Sequence, residues 1–281
     1  MKNIRSPNFA GIFYPSKKYE LLDSLTFCFD YSNFGPKDKI DKSIKKRIYG
    51  LVVPHAAYVF SGAIAAQAYY EILDIPIDTF ILIGPDHNGI GSGISIVVDG
   101  LWETPLGTVE INKSISEKII ENSSNMSIDV NAHAHEHSLE VQIPFLQYHR
   151  RNTFKIVPIL MKDQNTYTSI ALGKSIFEAT EDTNTMIIST SDLTHYEPYE
   201  IAYDKDLEVI KKIEKISIES FYDYIKVANV SLCGPGPIAV LMKIAQSQGA
   251  QKGILLKYST SGDIDSDFKN TVVGYASIAL I

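Results

Sequence analysis

Residues Thr79–His87 read Thr-Phe-Ile-Leu-Ile-Gly-Pro-Asp-His, a run of bulky apolar side chains that ends in a Gly-Pro turn and a histidine. Two other segments share this pattern: Leu51–Val53 is followed by Pro and His55, and Ile187–Thr190 by Ser and Asp192. Apolar runs that are rich in Ile and Val, without polar alternation, are typical of strands covered on both faces. In open α/β sheets the ligand site lies beyond the carboxyl ends of such strands.

The rest of the chain alternates between similar runs and helical patterns. The predicted strands are Ile48–Val53, Thr79–Ile83, Ile94–Val98, Phe154–Met161, Thr185–Thr190, Ile254–Tyr258 and Val272–Leu280. The predicted helices are Ala63–Leu73, Lys113–Asn122, Tyr167–Thr180, Ile201–Ile213, Ile218–Val227 and Ile238–Gln248. Strands that alternate with helices predict an α/β layered fold with a mostly parallel central sheet flanked by helices. We expect one domain over residues 1–281.

One segment, His137–His149, fits two structures. Its apolar residues alternate with polar ones, which favours a strand, but Pro144 argues against a central strand. We therefore predict a helix that begins near Glu136 and is kinked at Pro144. Further upstream, the Gly-, Pro- and Lys-containing stretch Asn33–Arg47 predicts a solvated loop before the first core strand.

The composition excludes several classes of protein. Of the 281 residues, 45% are hydrophobic and 21% charged, which rules out a disordered, collagen-like or coiled-coil chain. The net charge of −7 argues against nucleic-acid binding, and no apolar run approaches the ~18–20 residues that would span a membrane. Residues 1–16 lack the profile of a signal peptide. Because two cysteines are too few for a disulfide scaffold, we expect a reducing, cytoplasmic location.

Three histidines follow predicted strands: His55, His87 and, three residues after Asp192, His195. A single histidine after a strand is usually a loop residue, but three at equivalent strand ends favour a shared site. Cys233 lies in a Gly/Pro-rich turn before a helix, where partial exposure and the positive helix end would lower the pKa of its thiol. Two imidazoles and one thiolate would hold Fe(II), Cu or Zn with open coordination positions.

A further histidine-rich run, His133–His137, reads His-Ala-His-Glu-His. It is only loosely similar to the His-x-His-x-Asp-His run of binuclear metallo-hydrolases, because it has Glu136 and no Asp. His137, at the start of the next element, is the best candidate in this run to point into a site. The roles of His133 and His135 stay open, and an exposed loop is an equally good interpretation for both.

Taken together, the motifs resemble the Memo family, also described as AmmeMemoRadiSam system protein B. The resemblance is carried by stretches spread over nearly the whole chain: Gly11–Pro15, Pro54–Tyr58 with Ser61-Gly62, Gly84–His87, Glu136–Glu140 with Pro144, Ser191–His195, and Cys233-Gly234 with Pro237-Ile238. The chain departs from the family's usual His-Ala-Gly-Tyr by having Ala57 in place of Gly, which requires a negative φ at that position.

The resemblance implies a fold like that of class III extradiol dioxygenases, which are non-haem iron enzymes. It implies a metal site formed by His55, His87 and Cys233, with Asp192, His195 and His137 as catalytic groups in the same pocket. Those dioxygenases use two histidines and one carboxylate, so Cys233 in place of the carboxylate argues against ring cleavage. The family suggests iron or copper redox chemistry instead, and zinc is a further possible metal.

Three functions compete at this level. The leading hypothesis is a metal-dependent oxidoreductase that acts on O2 or a small molecule. The second is a zinc-dependent hydrolase with similar ligands, to which the His133–His137 run contributes, and with Asp192 or His195 as general base. The third is a binding module that uses the same pocket for a peptide or a protein partner. The substrate, the physiological metal and the oligomeric state do not follow from the sequence.

Overall fold

The computed structural model describes residues 3–37 and 47–281. Its strands are β1 Ile4–Arg5, β2 Gly50–Val53, β3 Thr79–Pro85, β4 Ile94–Ile96, β5 Leu101–Thr104, β6 Gly107–Ile111, β7 Met126–Ile128, β8 Lys155–Met161, β9 Thr185–Thr190, β10 His195–Glu197, β11 Gly253–Thr260 and β12 Val272–Leu280. Its helices are α1 Lys18–Thr26, α2 Ala63–Glu71, α3 Lys113–Glu121, α4 Val130–Ala134, α5 Ile143–Arg150, α6 Thr166–Thr180, α7 Tyr199–Glu214, α8 Ile218–Ala228, α9 Pro235–Ser247 and α10 Ser261–Ile264. Short helical turns cover Phe27–Tyr31, Tyr58–Gly62, Glu140–Gln142 and Ser266–Phe268.

The strands form one sheet in the order β1-β5-β6-β8-β3-β9-β2-β12-β10, and β11 pairs with β12. Its centre is parallel: β3 lies between β8 and β9, and β9 is followed by β2. The last two long strands are antiparallel, since β12 runs against β2 and β11 against β12. The predicted α/β layered fold with a mostly parallel central sheet is confirmed.

The central strands are covered on both faces, as their unbroken apolar sequences predict. In β3, Phe80 and Leu82 pack in one core with α1, α2 and α5. Their neighbours Ile81 and Ile83 pack in the other core with α3, α6, α8 and α9. All four side chains have no solvent exposure. Helices on both faces leave the ends of the parallel strands as the place where loops form a site.

The structure tests the prediction for the segment around Pro144. The segment His137–His149 is helical rather than a strand, as predicted, but its helical part begins at Glu140: a short turn at Glu140–Gln142 leads directly into α5, and Pro144 lies in the first turn of α5, where its missing N–H costs nothing. The predicted loop Asn33–Arg47 falls largely on residues 38–46, which lie outside the described residues. Within the described part of the chain, no helix combines the length and apolar character needed to cross a membrane.

Candidate metal centre

His55, His87 and Asp192 follow the carboxyl ends of three neighbouring parallel strands, β2, β3 and β9. This shared edge brings the first two close together: the centroids of the His55 and His87 rings are 5.1 Å apart. The backbone N–H of His55 donates to Asp192 Oδ1 over 2.8 Å, which ties the loop after β2 to the loop after β9. Strand order alone thus accounts for this part of the site.

Cys233 comes from a distant part of the chain and reaches the site because its turn lies against the end of β9. The backbone N–H of Asp192 points at Cys233 Sγ over 3.2 Å, and the N–H of Gly234 donates to Ser191 Oγ over 2.9 Å. A Cβ at Gly234 would lie 2.7 Å from the carbonyl oxygen of Thr190, so only glycine permits this approach. As a result, Cys233 Sγ is 3.1 Å from His55 Nε2.

One ligand-type atom each from His55, His87 and Cys233 lies within 4.8 Å of the others. Nitrogen and sulfur atoms that each lie about 2.0–2.3 Å from a shared ion are separated from one another by comparable distances. Each ring uses its other nitrogen elsewhere: His55 Nδ1 is 2.8 Å from Thr190 Oγ1, and His87 Nδ1 is 2.9 Å from Glu136 Oε1. The three side chains therefore fit one transition-metal ion, with both Nε2 atoms available.

Burial and neighbouring charges set the protonation of these groups. Burial, with the charges of His137 and His87, lowers the pKa of His55 well below its usual value. For His87, burial lowers the pKa, but the hydrogen bond to Glu136 and its charge raise it more. For Glu136, burial raises the pKa of the carboxyl, but the hydrogen bond and charge of His87 outweigh it and lower the pKa to about 2. A neutral His55 and an ionised Glu136 suit metal ligation.

The sequence-based expectation for the Cys233 thiol is wrong. Partial burial of Cys233 and the adjacent Asp192 carboxylate raise the pKa of the thiol, rather than the helix end lowering it. Desolvation disfavours the thiolate more than the positive end of α9 favours it. Without a cation, this cysteine is a neutral thiol at pH 7. A bound metal ion would supply the positive charge that favours the thiolate.

The cavity in front of these residues has a volume of about 490 Å³. His137, Asp192 and His195 line it together with the three ligand-type residues, as do Phe13, Ala56, Ala57, Tyr196, Ser231, Val273 and Tyr275. His195 Nδ1 lies 2.7 Å from the carbonyl oxygen of Leu193 and 2.9 Å from that of Ser231. Because carbonyl oxygens only accept, Nδ1 is the donor in both contacts, and Nε2 is the ring nitrogen left for a ligand.

His137 and Asp192 are the other two residues predicted as catalytic. The His137 ring stacks on His87 with centroids 4.6 Å apart and packs against Phe13 at 4.4 Å. Burial lowers the pKa of His137 to about 4, so the ring is neutral at pH 7. Asp192 is 5% exposed, and burial raises the pKa of its carboxyl to about 6. All six predicted site residues thus surround one cavity.

The structure also places the other residues that the sequence motifs singled out. His133 is buried against Trp102, and His135 is exposed; both line a separate cavity of about 290 Å³ near the N-terminus. Tyr58 is buried and donates to the carbonyl of Val141. Ala57 has φ −57°, so the departure from the family's glycine is accommodated. The role of Glu136 was missed by the sequence reasoning, although an acidic residue directly before His137 was the available signal.

A family model described as "Memo-like protein" matches residues 5–279. The chain belongs to the Memo family. A MEMO1 family protein of Methanocaldococcus jannaschii is 42% identical to it over 286 residues, covering 99% of both chains. A MEMO1 family protein of Methanopyrus kandleri is 40% identical over 278 residues, covering 98% of both.

A solved structure extends the likeness of fold beyond these relatives. The crystal structure of an uncharacterized protein from Escherichia coli K12 matches this Memo-family chain with a TM-score of 0.52. The match covers 84% of this chain and 100% of the other, at 11% sequence identity. At this identity the likeness concerns the fold alone.

Proposed function

We propose that this Memo-family protein binds one Fe(II) or Cu ion through His55, His87 and Cys233 and acts as an oxidoreductase on O2 or a small molecule. The observation that carries the proposal is the convergence of these three donors within 4.8 Å at the edge of a 490 Å³ cavity. Imidazole and thiolate donors suit Cu, Fe and Zn and do not suit Mg or Ca. A bound Fe or Cu ion would supply one-electron chemistry with O2.

The protein's own residues would bind and orient the substrate. His195 has Nε2 left for a substrate, because its Nδ1 donates to two backbone carbonyls. Phe13, Tyr196 and Tyr275 supply aromatic surface in the same cavity. An O–H or N–H donor on a small substrate could therefore be held by His195 while its apolar part contacts these rings. We also propose a reducing, cytoplasmic location, because two cysteines are too few for a disulfide scaffold.

Metal analysis of purified protein tests the ligand set. Wild-type protein reconstituted without oxygen should retain about one equivalent of Fe or Cu after gel filtration, and the triple variant His55→Ala/His87→Ala/Cys233→Ala should retain none. The matched control is His135→Ala/His149→Ala/Cys28→Ala, which removes the same residue types outside the cavity and should leave metal content unchanged. Equal metal content in wild type and the first triple variant would overturn the proposal.

A zinc-dependent hydrolase is the second candidate, favoured by Asp192 and His195 beside the donors in the cavity. Either side chain could take a proton from water at neutral pH. Oxygen dependence separates the two functions. Oxygen consumption by Fe- or Cu-loaded protein supports the oxidoreductase. Turnover by Zn-loaded protein under anaerobic conditions supports the hydrolase instead.

A further inference from the structure

A row of buried polar side chains lies behind His55, on the side away from the cavity. Thr190 Oγ1 is 2.8 Å from His55 Nδ1, and Gln142 Nε2 is 3.1 Å from Thr190 Oγ1. The Tyr69 hydroxyl donates to Gln142 Oε1 over 2.8 Å. Thr190, Gln142 and Tyr69 are each at most 1% exposed. We name Tyr69, Gln142 and Thr190 the His55 support chain.

The orientation of the Gln142 amide is fixed by its surroundings. Nε2 faces the carbonyl oxygens of Pro54 at 3.0 Å and Ser138 at 3.3 Å, which can only accept hydrogen bonds. An exchange of Nε2 and Oε1 would set oxygen against two carbonyl oxygens. Gln142 Nε2 is therefore a donor on this side, and its two hydrogens are shared among three acceptors: the two carbonyl oxygens and Thr190 Oγ1. The hydrogen bond from Gln142 therefore helps to hold the Thr190 hydroxyl in place.

The Thr190 hydroxyl can donate to His55 Nδ1 in the metal-free protein, and it can accept from Nδ1–H when Nε2 binds an ion. A proton on Nδ1 leaves the lone pair of Nε2 directed at the space near Cys233 Sγ, 3.1 Å away. Metal-ligating histidines usually have their second nitrogen held in this way, and the partner sets both the tautomer and the ring orientation. The hydroxyl of Thr190 is suitably placed to serve as this partner.

The two histidines facing the proposed ion are thus held by different chemistry. Nδ1 of His87 contacts the ionised carboxylate of Glu136, whereas Nδ1 of His55 contacts a neutral hydroxyl. Asp192 already contributes a buried carboxylate that accepts the backbone N–H of His55. A further carboxylate behind His55 would add a second buried negative charge beside the same residue, at a large desolvation cost. A neutral partner fixes the ring without that cost.

We propose that Thr190, held by Gln142 and Tyr69, is a positioning residue that fixes the orientation of the His55 ring so that Nε2 can bind the metal ion. The inference rests on the proposed metal site but concerns residues that touch no metal. It predicts that removing the Thr190 hydroxyl weakens metal binding although all three ligands are intact. Losses of 10- to 100-fold in affinity are usual when such a partner of a metal-binding histidine is removed.

The test compares Thr190→Val, which keeps the shape of the side chain, with Thr190→Ser, which keeps the hydroxyl. Co(II) affinity is measured by competition with a chromogenic chelator, and the Co(II)–thiolate absorption band reports ligand geometry. Thr190→Val should bind Co(II) about 10- to 100-fold more weakly than wild type and show a changed band. Thr190→Ser should stay within about threefold of wild type.

The matched control is Thr79→Val. Thr79 is also a buried strand threonine, and its hydroxyl accepts an amide hydrogen bond from Asn112, but it lies at the opposite end of β3. Its substitution should leave Co(II) affinity and the absorption band unchanged. An equal loss in Thr79→Val and Thr190→Val would mean a general effect of destabilisation, and the inference would be wrong.

Nitrogen NMR of the histidine rings in Zn-loaded wild-type protein gives a readout that needs no variant. The inference requires a proton on His55 Nδ1; a ring protonated elsewhere overturns it. If wild type shows a Co(II)–thiolate band and Thr190→Val matches it in affinity and spectrum, the positioning role fails while the metal site stands. If wild type shows no such band, the proposed function fails, and the inference fails with it.

Discussion

Glu136→Gln removes the negative charge of the Glu136 side chain but keeps its shape, so it tests what the charge contributes to the site. Glu136 is 1% exposed. Its Oε2 accepts the backbone N–H of His87 over 2.7 Å, and its Oε1 lies 2.9 Å from both His87 Nδ1 and the N–H of Ser138. Each neighbour is a donor when His87 Nδ1 carries the proton. The NH2 group of glutamine would face at least one of them.

The pKa of Glu136 gives the size of the effect. Burial raises this pKa, but the hydrogen bond and charge of His87 lower it further, to about 2 from 4.5. At 1.36 kcal/mol per pKa unit this difference corresponds to about 3 kcal/mol. A lowered pKa in the folded state stabilises the protein above pH 4.5, and the contribution is lost as the pH falls towards 2. Glu136→Gln should therefore unfold with about 3 kcal/mol less free energy at pH 7.

Urea unfolding of metal-free protein at pH 7 and pH 3 measures this difference, which should be smaller at pH 3. Competition for Co(II) should show binding about 10- to 100-fold weaker than wild type, because the ring of His87 loses the negative charge of its partner. Glu121→Gln, an exposed substitution at the end of α3, is the control and should change neither quantity. Equal unfolding free energy and equal affinity for wild type and Glu136→Gln would refute the reasoning.

Three further substitutions test the fold around the site. Gly84→Ala places a methyl group 2.7 Å from Ser138 Oγ and 3.0 Å from Thr190 Cγ2, so thermal unfolding should show a loss of about 1–3 kcal/mol, and an unchanged midpoint would contradict this packing. Leu82→Ala, in a fully buried position of β3, should cost about 2–5 kcal/mol in urea unfolding, whereas a cost below 1 kcal/mol would argue against the two-sided core. Burial raises the pKa of the Asp206 carboxyl from 3.8 to about 6. The protonated carboxyl therefore stabilises the folded protein below about pH 4, and this contribution declines by about 3 kcal/mol as the pH rises to above 6. The unfolding free energy of Asp206→Asn relative to wild type should therefore increase over that interval, and a constant difference would show that the shift is absent.

Much of the fold was predictable from the sequence because the central strands are apolar at every position, which is typical of buried strands. In β3, four consecutive apolar residues pack alternately into the two cores, as their Ile-rich run predicts for a strand covered on both faces. Strands β1, β5, β6, β7 and β10 were not predicted. They are two to five residues long and of mixed polarity, so their pairing depends on neighbours that are distant in the sequence. Helix α1 was also missed, although its two buried residues, Leu21 and Leu25, have helical spacing.

The sequence predicted those parts of the candidate site that lie directly after parallel strands. It did not predict the features that depend on contacts between distant parts of the chain. The residues after β2, β3 and β9 meet because parallel strands end at one edge. The proximity of Cys233 depends on close packing of Gly234 against Thr190, which no local pattern reveals. The protonation of the thiol depends on burial and on the charge of Asp192, and both are properties of the folded chain. The support chain behind His55 is likewise visible only in three dimensions.

X-ray absorption at the metal edge tests the central claim most directly, because it reports the atoms bound to the ion without reference to activity. For wild-type protein loaded with Fe(II), Cu or Zn, the account predicts one sulfur ligand at about 2.3 Å and two imidazole nitrogens at about 2.0–2.1 Å. Cys233→Ser should lose the sulfur scatterer and keep the nitrogens. A spectrum of wild type with nitrogen and oxygen ligands only would contradict the account.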